Sequence, residues 1–397
     1  MALDPRDEQD PVGPGKDANL VPAINGETVI ILLAGAAIFA LFALQMGIAF
    51  TFKTMMATAH DLILNTVLFL MGVMIIAGAF TAFIAEFGIV AIANRTLAPL
   101  MRPLFGLPGA TSVGVVATYL SDNPAVMPLG TDRGFLKYFR QWQVATLVNL
   151  GTVFGMGLIV TTFMLAQSVG EHSLGRAVLI GNVGALLGGI VSVRAMGWFG
   201  KRKYGRDAMA LPSSEEGHDP LRFREVRSGN RAQRALQSLL DGGAGGVKMG
   251  LDIMPGVIII CTLVMMLSYG APDGGYTGEA YEGIGFFPWV GAKLSFIIEP
   301  LFGFQDPRAI AFPVTSWASV GAALGMIPQF LETGIIGAQE VAVLTAIGIC
   351  NAGFLSTHIG MMDGLRERDL ATVAIVTHFI GGMSAGVLAH FLFLLLG

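Results

Sequence analysis

Charge is scarce in this chain. Asp, Glu, Lys and Arg make up 13% of its 397 residues, about half the roughly 25% of an ordinary soluble protein. AVILMFWYC residues make up 53%, and the mean hydropathy is +0.67. Such a composition excludes a soluble globular protein and implies an integral membrane one. The 24 Lys and Arg stand against 28 Asp and Glu, so there is no basic excess and no nucleic-acid partner is expected. Cysteine is nearly absent. Cys261 and Cys350 lie in apolar runs without a CxxC, which leaves no disulfide framework or redox motif and reads as two small buried hydrophobes. The histidines are too scattered to form a metal site, and no metal or cofactor is expected. There is no HExxH and no nucleophile–base pair, so an enzyme is not expected. Gly242–Gly246 is glycine-rich, but Lys248 is not followed by Ser or Thr and no strand precedes it, so it is no phosphate loop. Residues 1–27 are polar and dotted with Pro and Gly; they read as a disordered cytoplasmic tail rather than a cleavable signal peptide.

What the chain does contain is a repeat. Pro103-Leu104-Phe105-Gly106 returns as Pro300-Leu301-Phe302-Gly303 when the sequence is slid by 197 positions. The same slide carries Thr118 onto Thr315, Leu147 onto Leu344, Gly151 onto Gly348, Gly184 onto Gly381 and Gly189 onto Gly386. One offset holding over so long a stretch indicates a duplicated unit.

Apolar stretches of about 20 residues cross a bilayer, and the chain can be divided on that basis. A first span covers 28–50, followed by an amphipathic link at 51–60 and a second span at 62–83. Residues 88–104 mix apolar residues with Arg95, Pro99, Arg102 and Pro103, as a helix lying in the interface would. The run 110–129 breaks at Ser121-Asp122-Asn123-Pro124, leaving two halves too short to span, which predicts a re-entrant hairpin. Full spans are expected at 144–166 and 174–196, then a polar loop at 197–248. The second half repeats the order. It has a span at 251–269, an acidic loop, an interfacial helix near 289–298, and a hairpin at 309–330 broken around Thr315–Ser319. Spans at 341–359 and 370–396 close the chain. The expected fold is therefore all-α and integral to the membrane. It comprises a tail (1–27), an extra N-terminal transmembrane helix with its link (28–60), repeat 1 (61–196), a cytoplasmic linker (197–248) and repeat 2 (249–397).

Lysine and arginine favour cytoplasmic loops. With the N-terminus inside, all of the 24 except Lys53, Arg176, Lys293 and Arg308 fall on the cytoplasmic side. The first unit then opens from the cytoplasm and the second from the exterior, so the repeats are inverted. Inverted repeats with broken elements at the midplane are a common architecture of secondary transporters.

Irregular backbone at membrane depth is tolerated only against protein or a water-filled cavity, so the two hairpin breaks mark candidate binding residues. These are Thr118, Ser121, Asp122 and Asn123 in the first, and Thr315, Ser316 and Ser319 in the second. Asp122 stands out, because a carboxylate in the membrane is costly and usually functional; Asp-Asn-Pro also suits a simple hairpin turn. The spans add Asn149, Asn182, Asn351 and His378, which suit either a polar solute or hydrogen bonds between helices. His358 is placed at the cytoplasmic end of its span as an interfacial residue, and Glu86 and Glu299 read as interfacial carboxylates.

The helix ending in PLFGLPG, the small-residue hairpin behind it and the closing THFIGGMSAGVLAH resemble the Gate, or nucleoside-recognition domain, family of membrane proteins. That family includes YjiH-like and spore-maturation proteins, with distant ties to concentrative nucleoside transporters and to the membrane domain of ferrous-iron transporter B. The resemblance covers about residues 60–397 and implies one gate unit per half, with Thr118–Asn123 and Thr315–Ser319 lining a translocation site. The likeness to ferrous-iron transporter B is expected to be confined to its membrane part, without a GTPase domain, and the base- and ribose-binding residues of the nucleoside transporters do not match one by one. The expected function is ion-coupled secondary transport of a small polar solute, nucleoside-like by the family resemblance, with Na⁺ or H⁺ as coupling ion. The protein is expected in a bacterial-type inner membrane, among lipid, with glycine-rich helix faces suited to a homodimer. A channel-like or divalent-metal permease and a non-transporting structural or signalling membrane protein fit the same residues.

Overall fold

Gly47 sets the first break in the chain. Its φ of 83° is left-handed backbone that stops one helix and starts another. The structure is a computed structural model that describes residues 22–127, 130, 133–136, 138–169, 172–210 and 226–396; most of the expected tail, 1–21, lies outside the described residues. Helix α1 (Gly26–Met46) starts at a reciprocal Asn25/Thr28 cap. After Gly47, α2 (Ile48–Asp61) runs through a π turn at Leu62–Val67 into α3 (Leu68–Glu86). The expected link at 51–60 is therefore part of one 39-residue helix, Ile48–Glu86, and the boundary expected at 60/61 falls inside it. Nothing between Ile48 and Glu86 breaks the helix, because Gly72 and Gly78 keep helical geometry.

The interfacial helix α4 (Ile89–Phe105) is followed by α5 (Thr111–Leu120), a break at Ser121-Asp122, and a 3₁₀ turn at Asn123–Val126. The expected span at 144–166 is interrupted. It consists of α6 (Thr146–Phe154) and α7 (Gly157–Leu165), separated at Gly155-Met156, where Met156 takes φ 53°. A two-residue ribbon, Ser168–Val169 with His172–Ser173, leads into α8 (Gly175–Tyr204). The expected loop at 197–248 is shorter than its polarity suggested: α8 runs on to Tyr204, and α9 (Arg231–Gly256) begins at an Asn230/Gln233 capping box.

The second half follows with a π turn at Val257–Cys261, α10 (Thr262–Ser268) and the acidic loop. Then come the interfacial helix α11 (Phe286–Phe302), a hairpin of α12 (Ala311–Ala318), α13 (Val320–Leu324) and α14 (Ile327–Glu332), and α15 (Ala338–Cys350). The expected span at 341–359 also breaks, at Asn351–Gly353, before α16 (Phe354–Gly364); α17 (Ala371–Leu396) ends the chain. Among the described residues, 6 helices are long and apolar enough to cross a membrane, and the protein is an all-α, multi-pass membrane protein.

From the interfacial helices onward, the elements of the two halves correspond under the sequence offset. Interfacial helices α4 and α11 stand 197 residues apart at both ends, each bounded by left-handed glycines, Gly88 and Gly106 against Gly285 and Gly303. Equivalent helices α8 and α17 pack on each other and run antiparallel: Gly184 meets Ala389, Gly188 meets Ala385, and Gly381 meets Ser192. Gly188 and Ala385 are themselves one offset apart, so an approximate two-fold axis passes between them. A Cβ on Gly188 would stand 2.5 Å from that of Ala385, which is why small residues fill this seam. Helices α3 and α9 cross in the same antiparallel sense, through Gly78 and Gly242, and the two π turns touch.

The ends of the bundle are tied separately. At one end Glu282, in the acidic loop, accepts from Thr277 and Gly278 and from Thr54 of α2. At the other, Arg227 and Arg234 hold Glu86 at 2.8 and 2.6 Å, so Glu86 is buried in an ion-pair cluster rather than solvated at the interface. The first interfacial helix is pinned through Leu104 to Arg194 on α8, and the second through Gln339 to His390 on α17. Because α8 and α17 are antiparallel, these anchor points lie on opposite sides of the two-fold axis, about 16 Å apart along the helix pair.

Candidate functional site

Each hairpin reaches inward to a glycine of its own broken helix. Val126 and Asn123 of the first close on Gly151, and Val320 of the second closes on Gly348, one offset away. The two helix breaks also correspond. Met156, at φ 53°, maps onto Gly353, at φ 64°. Between hairpins and breaks lies a buried polar network.

Asn149, on α6, is its hub. The side-chain amide of Asn149 donates to Ser192 and Thr377 at 3.0 Å each and to the Ala374 carbonyl at 3.3 Å. Ser192 in turn meets His378 Nδ1 at 3.1 Å, and His378 Nε2 donates to the Cys350 carbonyl at 2.6 Å. That carbonyl closes α15, one residue before Asn351, whose Nδ2 donates to Ser316 of hairpin 2 at 3.0 Å. A second branch leaves the hub through His358, 3.3 Å from Asn149 Oδ1 and 3.3 Å from Thr152. Next to His358, Thr357 receives the amide of Asn123, at the tip of hairpin 1, at 2.6 Å. The segment 351–358 thus binds both hairpins.

Two atoms in this network lack a partner. Asn123 Oδ1 and Asn351 Oδ1 are buried and accept no hydrogen bond, and leaving such an acceptor unmet costs about 1–3 kcal/mol. A Cβ at Gly353 would stand 2.6 Å from the Asn123 amide, and one at Gly382 would stand 2.7 Å from Asn351 Oδ1. Among the described residues no group of three or more His, Cys, Asp or Glu could hold a metal ion.

The sequence-predicted residues divide accordingly. Asn123, Asn149, Ser316, Asn351 and His378 come together. Thr118 and Thr315 are buried, but each hydroxyl bonds back within its own helix, to Gly114 and Ala311 at 2.8 Å, as does Ser121 to Ala117. Asp122 and Ser319 occupy matching positions as caps: Asp122 Oδ1 accepts from the Asn123 N–H at 2.7 Å and Ser319 from that of Ala322. Asn182 stands in a separate cluster, accepting from Tyr119 at 2.9 Å and Thr161 at 3.1 Å and donating to the Val178 carbonyl.

Thr357, Thr152 and Ser192 are not binding candidates by sequence, and His358 is expected only as an interfacial residue. His358 is fully buried, with its ring centroid 5.2 Å from that of His378, and is not an interfacial residue. The break at Asn351–Gly353 moves it into the network, one turn into a new helix. The offset held the missing signal, since it aligns the FGMG of Phe154–Gly157 with the NAGF of Asn351–Phe354.

Towards the end where Glu86 lies, a polar cavity of about 520 Å³ is lined by Gln141, Tyr204, Leu365, Arg366 and Glu367. Glu367 is buried there, 2.6 Å from Tyr204 and 3.1 Å from Gln141. Burial raises its carboxyl above the usual range, against the pull of Tyr204, Lys203 and Gln141.

The fold and site define a multi-pass membrane protein built from two inverted halves, with a polar centre at the meeting of two hairpins and two broken helices. Similar solved structures are those of CNTnw, one in an inward-facing substrate-bound state and one, a doubly substituted variant, in an outward-facing state. The first matches with a TM-score of 0.50 and 12% identity over 94% of this chain and 93% of that one. The second matches with a TM-score of 0.54 and 10% identity over 94% of this chain and 88% of that one. No protein-family model matches the sequence, and no curated protein matches it.

Proposed function

We propose that the chain is a secondary transporter of a small polar, nucleoside-like solute, working by alternating access of its two inverted gate repeats and coupled to Na⁺ or H⁺. The observation that carries this reading is the pair of unmet acceptors, Asn123 Oδ1 on hairpin 1 and Asn351 Oδ1 at the break beneath hairpin 2. Two buried carbonyl oxygens, one per half, suit a solute that presents N–H or O–H donors, as a nucleoside does on both base and sugar. Asn149, Ser316 and His378 hold these two in place, and Thr118, Ser121, Asp122, Thr315 and Ser319 shape the hairpins that carry them. Asn182 steadies the contact of α8 with hairpin 1. The likeness to CNTnw, seen both inward-facing and outward-facing, supports alternating access.

The gate repeats are 61–196 and 249–397. The bias of lysine and arginine supports an orientation with the N-terminus, Glu86 and the Glu367 cavity on the cytoplasmic side of a bacterial-type inner membrane, and the acidic loop outside. The glycine-rich helix faces suit a homodimer.

A thermal-unfolding screen of the purified chain tests the reading. Uridine, adenosine, carboxylates, amino acids and metal salts would each be added with and without Na⁺. A nucleoside at about 100 times its Kd adds about 2.7 kcal/mol to apparent stability, so uridine or adenosine is expected to raise the midpoint by several degrees. A shift with metal salts alone favours a metal permease, and no shift with any class overturns the assignment.

A further inference from the structure

The two central histidines have different hydrogen-bond surroundings. His378 is satisfied as a neutral ring. Its Nε2–H donates to a backbone carbonyl, that of Cys350, and its Nδ1 faces Ser192. Ser192 receives the Asn149 amide and so has its own hydrogen free for Nδ1. His358 is not satisfied in this way. Thr152, beside its Nδ1, spends its one hydrogen on the Val148 carbonyl at 2.9 Å and can only accept. Asn149, beside Nε2, presents an oxygen. The orientation of that amide is fixed by the Ala374 carbonyl, an acceptor that requires the nitrogen on its side. Both partners of His358 are acceptors, and a neutral imidazole has only one N–H. The pocket is complementary to the imidazolium.

We propose that His358 takes up the coupling proton, which sits as a second ring N–H between Thr152 and Asn149 and is exchanged through the Glu367 cavity when hairpin 1 moves. The proposal rests on the transport reading and identifies its coupling ion. The position suits the role. His358 is adjacent to Thr357, the contact of the hairpin 1 tip, so a change of charge there acts on the hairpin through one residue. Helix α16 leads from His358 to Gly364 and Leu365, which line the cavity, a rise of about 9 Å.

Few other groups bear on the ring. His378, on α17, is in ring contact. Helices α6 and α12 offer no titratable side chain, and Cys350 at the end of α15 gives its thiol to the Ala185 carbonyl. Glu340 lies at the far start of α15. Asp122 caps hairpin 1, and Asp363, Arg366, Glu367, Arg368 and Asp369 lie on or beyond the cavity end of α16. A proton at His358 therefore meets two dipolar acceptors and one neutral ring rather than a carboxylate. A bare cation at such depth is costly, so its gain and loss can be tied to opening and closing.

Two measurements test this. In the full chain with ¹⁵N-labelled histidine, one signal, missing from His358→Gln, is expected to pass from imidazolium to neutral ring as the pH is raised over the range from about 4 to about 8. The His378 signal should stay a neutral Nε2–H ring throughout. Thr152→Val removes one acceptor without emptying the site and should weaken proton binding at that signal by about tenfold. A His358 signal that remains neutral over the range, or a titrating His378, overturns the proposal. In proteoliposomes with clamped membrane potential, a gradient of one pH unit, acid outside, supports up to about tenfold uridine accumulation at one proton per solute. That ratio should fall to about one in His358→Gln. Uridine uptake that follows Na⁺ and ignores pH, or pH-driven accumulation persisting in His358→Gln, contradicts it. Uridine entering under neither gradient defeats the transport reading instead, while the histidine titration is judged by itself.

Discussion

Gly353 is where backbone geometry and the binding site coincide, and Gly353→Ala separates the two. The residue has φ 64°, and an added Cβ would stand 2.6 Å from the Asn123 amide nitrogen. Left-handed backbone costs a non-glycine residue about 1–2 kcal/mol. Forcing the Asn123 side chain aside adds about 1–3 kcal/mol of overpacking, and losing its bond to Thr357 adds about 1 kcal/mol. The total is about 3–6 kcal/mol. At about 2 °C per kcal/mol for a chain of this size, the unfolding midpoint should fall by about 6–12 °C. A thiol-reactive dye reads this directly, because Cys261 and Cys350 are fully buried and react only on unfolding. Gly334→Ala is the matched control. Gly334 has φ 69° with nothing within 4 Å of an added Cβ, so only the backbone cost applies, about 2–4 °C. Equal shifts in the two variants would refute the claim that Asn123 docks on the break.

Gly188→Leu should separate α8 from α17 at a cost above about 3 kcal/mol and lower the yield of folded protein, whereas Gly35→Leu, with open space around it, should be tolerated; comparable yields would argue against the antiparallel seam. Asp122→Asn keeps an oxygen for the Asn123 N–H and so preserves the cap, and uridine uptake is expected to fall at unchanged protein level; unaltered uptake with unaltered ion dependence would remove Asp122 from the site. For Glu282, burial pushes the carboxyl up, but the hydrogen bonds from Thr277 and Gly278 outweigh it and hold it below the usual range. Its contribution is present above the ordinary carboxylate range and is lost as pH falls through the folded value. The stability gap between wild type and Glu282→Gln should therefore narrow from about pH 7 to about pH 3, and a constant gap would show that the charge is not what holds the loop.

The parts legible in the sequence are those marked by polar or breaking residues. PLFG, with the neighbouring prolines and arginines, located both interfacial helices to within a few residues, and Ser121-Asp122 and Ser319 marked both hairpin breaks. The breaks in the two central helices escaped because Gly155-Met156 and Ala352-Gly353 are as apolar as their flanks, so hydropathy runs through them while φ turns positive. Missing the second break misplaced His358, which looked terminal in a continuous span but starts a new helix at the centre. The linker was overestimated for the opposite reason. The first turns of α9, from Arg231 to Asp241, are polar because that helix projects beyond the apolar layer, yet its cap at Asn230 is ordinary helix chemistry. The network itself was half visible. Asn149, Asn351 and His378 are conspicuous in apolar runs, whereas Ser192 and Thr152 are unremarkable until α8, α6 and α17 bring them together.

Inversion of the two halves is tested most directly at Thr96 and Lys293, exposed positions on the two interfacial helices that stand 197 residues apart. Single Thr96→Cys and Lys293→Cys variants, with the buried native cysteines left in place, would be treated in intact cells with a membrane-impermeant maleimide. Lys293→Cys is expected to label from outside and Thr96→Cys only after permeabilisation. Labelling of both from the same side would contradict the inverted architecture and the alternating-access proposal built on it.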